Sequence, residues 1–304
     1  MQIKAAEGHQ RDVAALERLL DSADVPGATR KRIEAEIRQI QAGEKAERDA
    51  AYQIELYFGQ AENWATIHDL RLEVDKLAVQ IDHLIINRLA DIWVCESKSF
   101  AEGVSINEYG EWSRWWHGRP EGMPSPIEQN RRHIHLLERA FDEGLVPLPR
   151  RLGLATMKPR LRSLVLVSDN ARISRPRRKV DGIDVVIKAE KLRTRLFDAS
   201  DSAPITDMGR LIGKEQLARW AKSLAELHRP GTTDWAARFG LDQAPPSPVT
   251  PPASSAPASP SRRPWLVKYD GPCTSCGRTL TKGTEAVWRQ PQRKMFCLDC
   301  AGAM

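Results

Sequence analysis

The sequence predicts an α/β sandwich, preceded by a helical extension and followed by a small separate module. Three observations lead there. Apolar runs of strand length lie between two segments of helical periodicity. Residues 244–264, APPSPVTPPASSAPASPSRRP, hold eight prolines among small residues and cannot build a core. Four of the five cysteines fall in the last 32 residues. The 304-residue chain therefore divides into an N-terminal helical extension (1–42), a main domain (43–243), a proline-rich linker (244–264) and a C-terminal module (265–304).

Each element has its own signal. In residues 1–42, Leu16, Leu19 and Leu20 share one helical face, and Ile33, Ile37 and Ile40 share another. Asp24-Val25-Pro26-Gly27 breaks the pair. A helical hairpin on the main domain accounts for this pattern, which is too short to argue for a dimerisation coil. Helical spacing resumes at Gly43 and stops at Gly59. Strand-like segments follow at 64–70, 79–87 and 91–98, then a hairpin across 103–116. Pro124-Ser125-Pro126 announces a helix over 127–141. Short strands at 163–168 and 183–187 and helices at 188–197 and 207–228 complete the domain.

Composition bounds the function. Hydrophobic residues make up 41% and charged residues 28%, which excludes a wholly disordered chain. No apolar run approaches the ~18–20 residues of a membrane-spanning helix, so no membrane partner is expected. The first twenty residues lack the apolar stretch of a secretory signal, so the expected compartment is the cytoplasm. There, clustered cysteines serve metals rather than disulfides. Lys+Arg number 46 against 40 Asp+Glu, a net charge of +6 that permits a nucleic-acid partner without requiring one.

Two strand segments are chemically unusual. In VQIDHLIIN, Asp82 sits among apolar residues; in DIWVCESKSF, Glu96 and Lys98 end an apolar run. Alternation places Glu96 and Lys98 on one face, and Trp93, Cys95 and Ser97 on the other. If the two strands pair as a hairpin, Asp82 lies beside Glu96 and Lys98. Two buried carboxylates repel each other and are costly to desolvate, and a divalent cation relieves both problems. Mg²⁺ takes one or two carboxylates plus water and phosphate oxygens, an arrangement suited to phosphodiester hydrolysis. Lys98 would position the attacking water or stabilise developing charge, and the Ser97 carbonyl is placed to ligate. The competing reading is a plain ion pair between Lys98 and Glu96 or Asp82 at the strand end.

Several motifs occur in order: Gly43-Glu44 opening a helix, YFG, HDLRL, QIDHLII, WVCESKSF and SPIEQNRRHI. Together they resemble the nuclease-related (NERD) domain, a branch of the PD-(D/E)xK nuclease-like superfamily, over residues 43–137. The resemblance implies a restriction-endonuclease-like α/β sandwich with a central mixed sheet and a Mg²⁺- or Mn²⁺-dependent nuclease. It matches Asp82 and Glu96 to the metal carboxylates, Lys98 to the motif lysine, Glu44 to the acidic residue of the first helix, and Gln129 to the polar residue of the second. Ile81 stands where the superfamily has its proline, and Ser97 where an apolar residue is common.

His83 follows Asp82 and is expected on the opposite face, as a core or second-layer histidine. His133 lies one turn after Gln129 and shares its face. Cys95 reads as buried filler. Trp112, Trp115 and Trp116, with Arg114 and Arg119, suit either base stacking or sheet packing. Residues 150–179 carry ten Lys and Arg against the single acid Asp169, which predicts a phosphate-tracking patch.

Near the C-terminus, Cys273-x2-Cys276 and Cys297-x2-Cys300 are separated by twenty residues. Two such knuckles predict one tetrahedral, structural Zn²⁺ site. A module of 40 residues is small for folding on apolar burial alone, so metal would supply folding energy. The cysteines and Gly277 resemble the short four-cysteine zinc ribbons attached to DNA topoisomerases. Trp288 and Phe296 would stack bases or form a miniature core. The expected function is a metal-dependent DNA endonuclease whose tethered zinc module recruits nucleic acid. The alternatives are a nuclease fold that holds nucleic acid without cleaving it, and an adaptor that engages a protein partner through the zinc module.

Overall fold

The computed structural model describes residues 1–22, 25–151, 155–241, 265–289 and 294–302. The linker at 244–264 lies outside them. Two compact units result, 1–244 and 245–304.

The larger unit begins with β1 (Gln2–Lys4), α1 (Gln10–Asp21) and α2 (Gly27–Phe58). A meander of β2 (Trp64–Val74), β3 (Leu77–Asn87) and β4 (Asp91–Lys98) follows. Next come β5 (Val104–Ile106), β6 (Trp112–Trp116), β7 (Arg119–Met123) and α3 (Pro126–Asp142). After the short pair β8 (Arg150–Arg151) and β9 (Ala155–Thr156) come β10 (Arg160–Val167), β11 (Ile173–Ser174) and β12 (Val186–Lys188). Helices α4 (Leu192–Asp201), α5 (Lys214–Ala225) and α6 (Trp235–Phe239) finish the unit.

The main sheet has the order β1-β2-β3-β4-β10-β12. It is antiparallel across β2-β3-β4 and parallel across β1-β2, β4-β10 and β10-β12. Strand alternation divides its side chains between two cores. Ile92 and Val94 pack with Leu137 of α3 and Trp220 of α5. Trp93 and Cys95 pack with Ile54 and Phe58 of α2 and Leu196 of α4. The layering is thus helix, sheet, helix, the expected mixed α/β sandwich. Asn130 on α3 is fully buried, and its amide nitrogen faces Val94 O at 2.7 Å, Leu164 O at 3.1 Å and Ser163 Oγ at 2.9 Å, pinning α3 across β4 and β10.

A second sheet, ordered β11-β5-β6-β7, grows from the ends of β4 and β10. The parallel β4-β10 pair is continued by the parallel β5-β11 pair.

Several expected boundaries move. Helix α2 runs unbroken across 42/43, so Gly43 does not open a helix. A side chain at Gly43 would meet nothing within 4 Å, so this residue is an exposed mid-helix glycine whose cost of about 1 kcal/mol the flanking packing outweighs. The paired faces of α1 and α2 are as expected: Leu16, Leu19, Leu20, Ile33, Ile37 and Ile40 meet around Trp235 of α6. The expected strand at 183–187 is a 3-10 turn (Ile183–Val185) followed by β12. The expected helix at 188–197 is a 3-10 turn (Ala189–Lys191) followed by α4. The expected helix at 207–228 is likewise a 3-10 stretch (Ile205–Arg210) and then α5, interrupted at Gly213, which takes the N-cap position of α5.

The smaller unit contains β13 (Trp265–Leu266), β14 (Gly271–Pro272), β15 (Thr279–Leu280), β16 (Glu285–Arg289), β17 (Lys294–Cys297) and α7 (Leu298–Gly302). Val267, Leu280, Ala286 and Phe296 form its core, so Phe296 packs inward. The Trp288 side chain lies outside the described part.

Candidate active site

The β3-β4 ladder ends at the pair His83–Cys95. Beyond it the Asp82 carboxylate takes over from the backbone, and its Oδ2 accepts the Ser97 amide N–H at 2.7 Å. That bond places Asp82 beside the Glu-x-Lys segment. Glu96 is 1% exposed, and its Oε1 lies 2.6 Å from Lys98 Nζ. Its Oε2 is buried without a hydrogen-bond partner, 3.5 Å from His133 Nδ1, which also has none.

The electrostatics agree with this crowding. Burial, then the charges of Glu96 and Glu47, push the Asp82 carboxyl well above its ordinary range. Burial chiefly raises Glu96 as well. Burial works against the Lys98 charge, but Glu96, Asp82 and Glu47 hold its ammonium above the usual value. Burial, with Arg132 and Lys98 nearby, lowers His133 to about 4, so its ring is neutral at pH 7. The site is therefore a buried acidic pocket with one internal cation and one unsatisfied carboxylate oxygen. A divalent ion fits such a donor set.

The two helix residues nominated from the sequence fall differently. Glu44 Oε1 accepts from Gln10 Nε2 at 3.0 Å, on the α1 side of α2. Glu47, three residues on, is the α2 carboxylate whose charge acts on Asp82, Glu96 and Lys98. It also lies 3.4 Å from His9 Nε2 and raises that ring to about 9, burial opposing. Sequence reading missed Glu47, because residues three apart share a helical face and only the sheet's position tells them apart. Gln129 is half-buried on the α3 face that carries His133.

His83 does lie on the opposite face, and it is not alone. His83 Nε2 is 2.8 Å from Ser97 Oγ, His83 Nδ1 is 2.8 Å from His68 Nδ1, and His68 Nε2 is 2.8 Å from Glu55 Oε1. Glu55 also accepts from Thr66 Oγ1 at 2.6 Å. Glu55 only accepts, so with both rings neutral the protons run one way: Ser97 to His83, His83 to His68, His68 to Glu55. Burial, then His68, holds His83 well below the usual histidine range. This buried chain fixes Ser97, the residue between Glu96 and Lys98, and explains why a polar residue stands there.

A cavity of about 510 Å³ opens between α2 and the C-terminal ends of β4 and β10, lined by Arg48, Tyr52, Gln53, Lys98, Ser168 and Asn170. Lys98 lines this cavity, and Asp82 and Glu96 do not.

The family comparison concerns this same stretch: the model of the nuclease-related domain matches residues 42–168. Those residues are a nuclease-related (NERD) domain. No curated protein and no solved structure matches the chain. The NERD match spans α2 from Ala42, the meander, the second sheet from β5 to β7, α3 and β10, so every site residue named above except His9, Gln10 and Asn170 lies within it.

The basic segment does not form one patch. Arg160 binds the buried Asp91 and, at 2.5 Å, Asp207; Arg162 is 3.6 Å from Asp91; Lys158 pairs with Asp142. These charges are neutralised at the far end of β4 from Lys98. Arg150 and Arg151 are exposed on β8, and the stretch from Arg172 to Lys179 carries its charge to the surface by the second sheet.

In the smaller unit the Sγ atoms of Cys273, Cys276, Cys297 and Cys300 all lie within 4.8 Å of one another. Among the described residues this is the only set of three or more His, Cys, Asp or Glu groups so close. The Cys297 N–H points at Cys273 Sγ at 3.3 Å, and backbone N–H groups lower that thiol to about 6. Gly277, at φ 74°, donates to Cys273 O at 2.9 Å and closes the first knuckle. Among the described residues no helix is long and apolar enough to cross a membrane.

Proposed function

We propose that this chain is a divalent-metal-dependent DNA endonuclease that hydrolyses phosphodiester bonds, with Mg²⁺ or Mn²⁺ at Asp82 and Glu96. The observation that carries the reading is the unpartnered Glu96 Oε2, buried beside a second carboxylate whose charge it opposes. A bound ion would supply Lewis acidity and lower the pKa of water. Asp82 and Glu96 would hold it, with Glu47 closing the α2 side in place of Glu44. Lys98, held at Glu96 and open to the cavity, would orient the attacking water and stabilise negative charge on the phosphate. His133, kept neutral, leaves Glu96 its full charge toward the ion. Gln129 and Arg132 on α3 would meet the nucleic acid. Glu44 stands as a support at the site edge.

Incubating plasmid with the full chain in Mg²⁺ or Mn²⁺, and then in EDTA, tests this. Metal-dependent nicking is expected, with Lys98→Ala reducing it at least about 100-fold while DNA binding persists. A second reading has its own observation: the 2.6 Å Lys98–Glu96 contact is what a purely structural ion pair would show. Nucleic acid that shifts in a gel without ever being cut would favour that reading, a nuclease fold used for holding.

The four cysteines fit structural Zn²⁺, since four thiolates complete a tetrahedron with no open position. The module would recruit nucleic acid or a protein partner, and its metal-type cysteines suit the cytoplasm. Cys297→Ser is expected to lose zinc, measured by metal analysis, and to unfold the small unit only. A matching loss in the main thermal transition would count against independent units.

A further inference from the structure

We propose that the outer face of the second sheet is a shelf for one unpaired nucleotide of a single-stranded nucleic acid, with Trp115 as the stacking surface and Arg172 as the phosphate contact. The inference rests on the nuclease reading for its setting and goes beyond it in naming the strand state of the substrate.

Register decides which side chains face outward. Ile106 pairs with Trp112 and Val104 with Arg114, and Val104, Ile106 and Trp112 are all buried in the core beneath. Directly opposed residues share a face, so the alternate set points away from that core. It comprises Ser105, Ser113 and Ser174, aligned across three strands, with Trp115 following Ser113. Of these, Ser105, Ser174 and Trp115 line a cavity of about 320 Å³ together with Glu102, Val104 and Arg172. That is the small end of ligand pockets, about 300–1,000 Å³. The floor thus carries the hydroxyls of Ser105 and Ser174, the wall is an indole that is 39% exposed, and the rim is a guanidinium.

The charges favour a polyanion. Among the described residues, the exposed side chains of Arg119, Arg172, Arg177 and Lys179 make no hydrogen bond or ion pair. The nearby acids are engaged: Glu121 pairs with Arg114, Glu108 with Arg178, and Glu102 accepts the N–H groups of His117 and Gly118. The last contact also fixes the turn that holds Trp115 in place. Trp116 emerges on the other side of the hairpin, 54% exposed, beneath Arg114 at 5.9 Å.

The geometry selects an unpaired base. Bases within a duplex present only their edges, whereas a splayed base offers its face to an indole. Gly103 makes the shelf possible. Its φ is 127°, and a Cβ there would come within 2.6 Å of Arg172 O. Only glycine lets β11 approach so that Val104 N–H can reach Arg172 O at 2.8 Å. Gly103 lies five residues after Lys98, within about 18 Å along the chain, so a strand on the shelf reaches the carboxylate pocket within a few nucleotides.

The test measures binding of the full chain, in EDTA, to a fluorescein-labelled oligothymidylate and to a labelled duplex of equal length. Metal and cleavage play no part, so the result is independent of whether the nuclease reading holds. Trp115→Ala is expected to weaken single-strand binding about 10-fold and duplex binding less than twofold, with Trp115→Phe restoring most of the loss. Arg172→Ala should weaken single-strand binding and reduce its salt slope by about one. Gly103→Ala, which displaces β11 while keeping both contact side chains, should reproduce the single-strand loss. Unchanged affinity in Trp115→Ala, equal losses on both probes, or no single-strand binding by the parent chain would overturn the shelf. Plasmid nicking retained in any of those cases would leave the nuclease reading standing.

Discussion

Asp91 and Glu96 lie five residues apart on β4 and are each 1% exposed, yet they are compensated in different ways. Asp91 begins the strand and receives Arg160 and Arg162 from the parallel β10, while its neighbour Asn87 Oδ1 accepts the Asp91 amide at 3.0 Å. Glu96 has Lys98 on one oxygen and no hydrogen bond on the other, which has only the neutral His133 ring 3.5 Å away, and it faces Asp82. One end of the strand is an ion-pair cluster. The other is left with a deficit of positive charge. A buried carboxylate that is fully paired belongs to the fold; one left short beside a like charge is a candidate for chemistry. The same contrast holds for the basic segment 150–179, whose Lys158 and Arg160 are spent on Asp91, Asp142 and Asp207 while Arg172 to Lys179 reach the surface.

Opposite responses to neutralisation would sharpen this comparison most. Asp91→Asn removes the buried partner of Arg160 and Arg162, leaving Arg160 with Asp207 alone, and is expected to cost about 1–3 kcal/mol in urea unfolding. Glu96→Gln in EDTA should cost nothing or stabilise, because the charge it removes is unfavourable in the ion-free site. Parent protein should gain about 2.7 kcal/mol from Mg²⁺ or Mn²⁺ at a hundredfold excess over Kd, and Glu96→Gln should gain none. Equal losses for both substitutions would erase the distinction between the two ends.

A further loss is expected behind the sheet. His83→Ala leaves Ser97 Oγ and His68 without their partner and should cost about 1–3 kcal/mol. Because Ser97 sits between Glu96 and Lys98, nicking should fall further than stability alone explains, with kcat dropping more than KM rises. His83→Gln, which can still accept from Ser97, should recover part of it.

The mildest change involves His9. Glu47 raises the His9 pKa from 6.5 to about 9, so the folded state binds that proton more tightly than the unfolded chain. The stabilisation is complete below about pH 6.5 and is lost as pH rises through about 9. Urea midpoints across that window should decline in the parent and flatten in His9→Asn.

How much of this was legible beforehand follows from the range of each interaction. Asp82, Glu96 and Lys98 stood out because a charged residue in an apolar strand run breaks a local pattern. The helix over α3 was announced by Pro124-Ser125-Pro126, and Ser125 Oγ does accept the Glu128 amide at 3.4 Å. The Glu55–His68–His83 chain had no local signal, since its members come from a helix and two strands and look ordinary singly. The basic run could be counted in the sequence, but its division into paired and free charges depended on Asp91, Asp142 and Asp207, each distant in sequence from its partner. The continuity of α2 was obscured by Gly43, whose propensity cost is real but is overridden by packing on either side.

That continuity has a consequence for tolerated length variation. Glu47 and Glu55 leave the same unbroken α2 eight residues apart, one serving the carboxylate pocket and the other the histidine chain behind the sheet. At 3.6 residues per turn, inserting or deleting one residue between them would rotate one against the other by about 100°. Both contacts cannot survive such a slip. A whole-turn indel restores the phase but shifts the two carboxylates by about 5.4 Å along the axis, so the length of this segment is fixed, while the stretch of α2 before Glu47 is under no such constraint from the site.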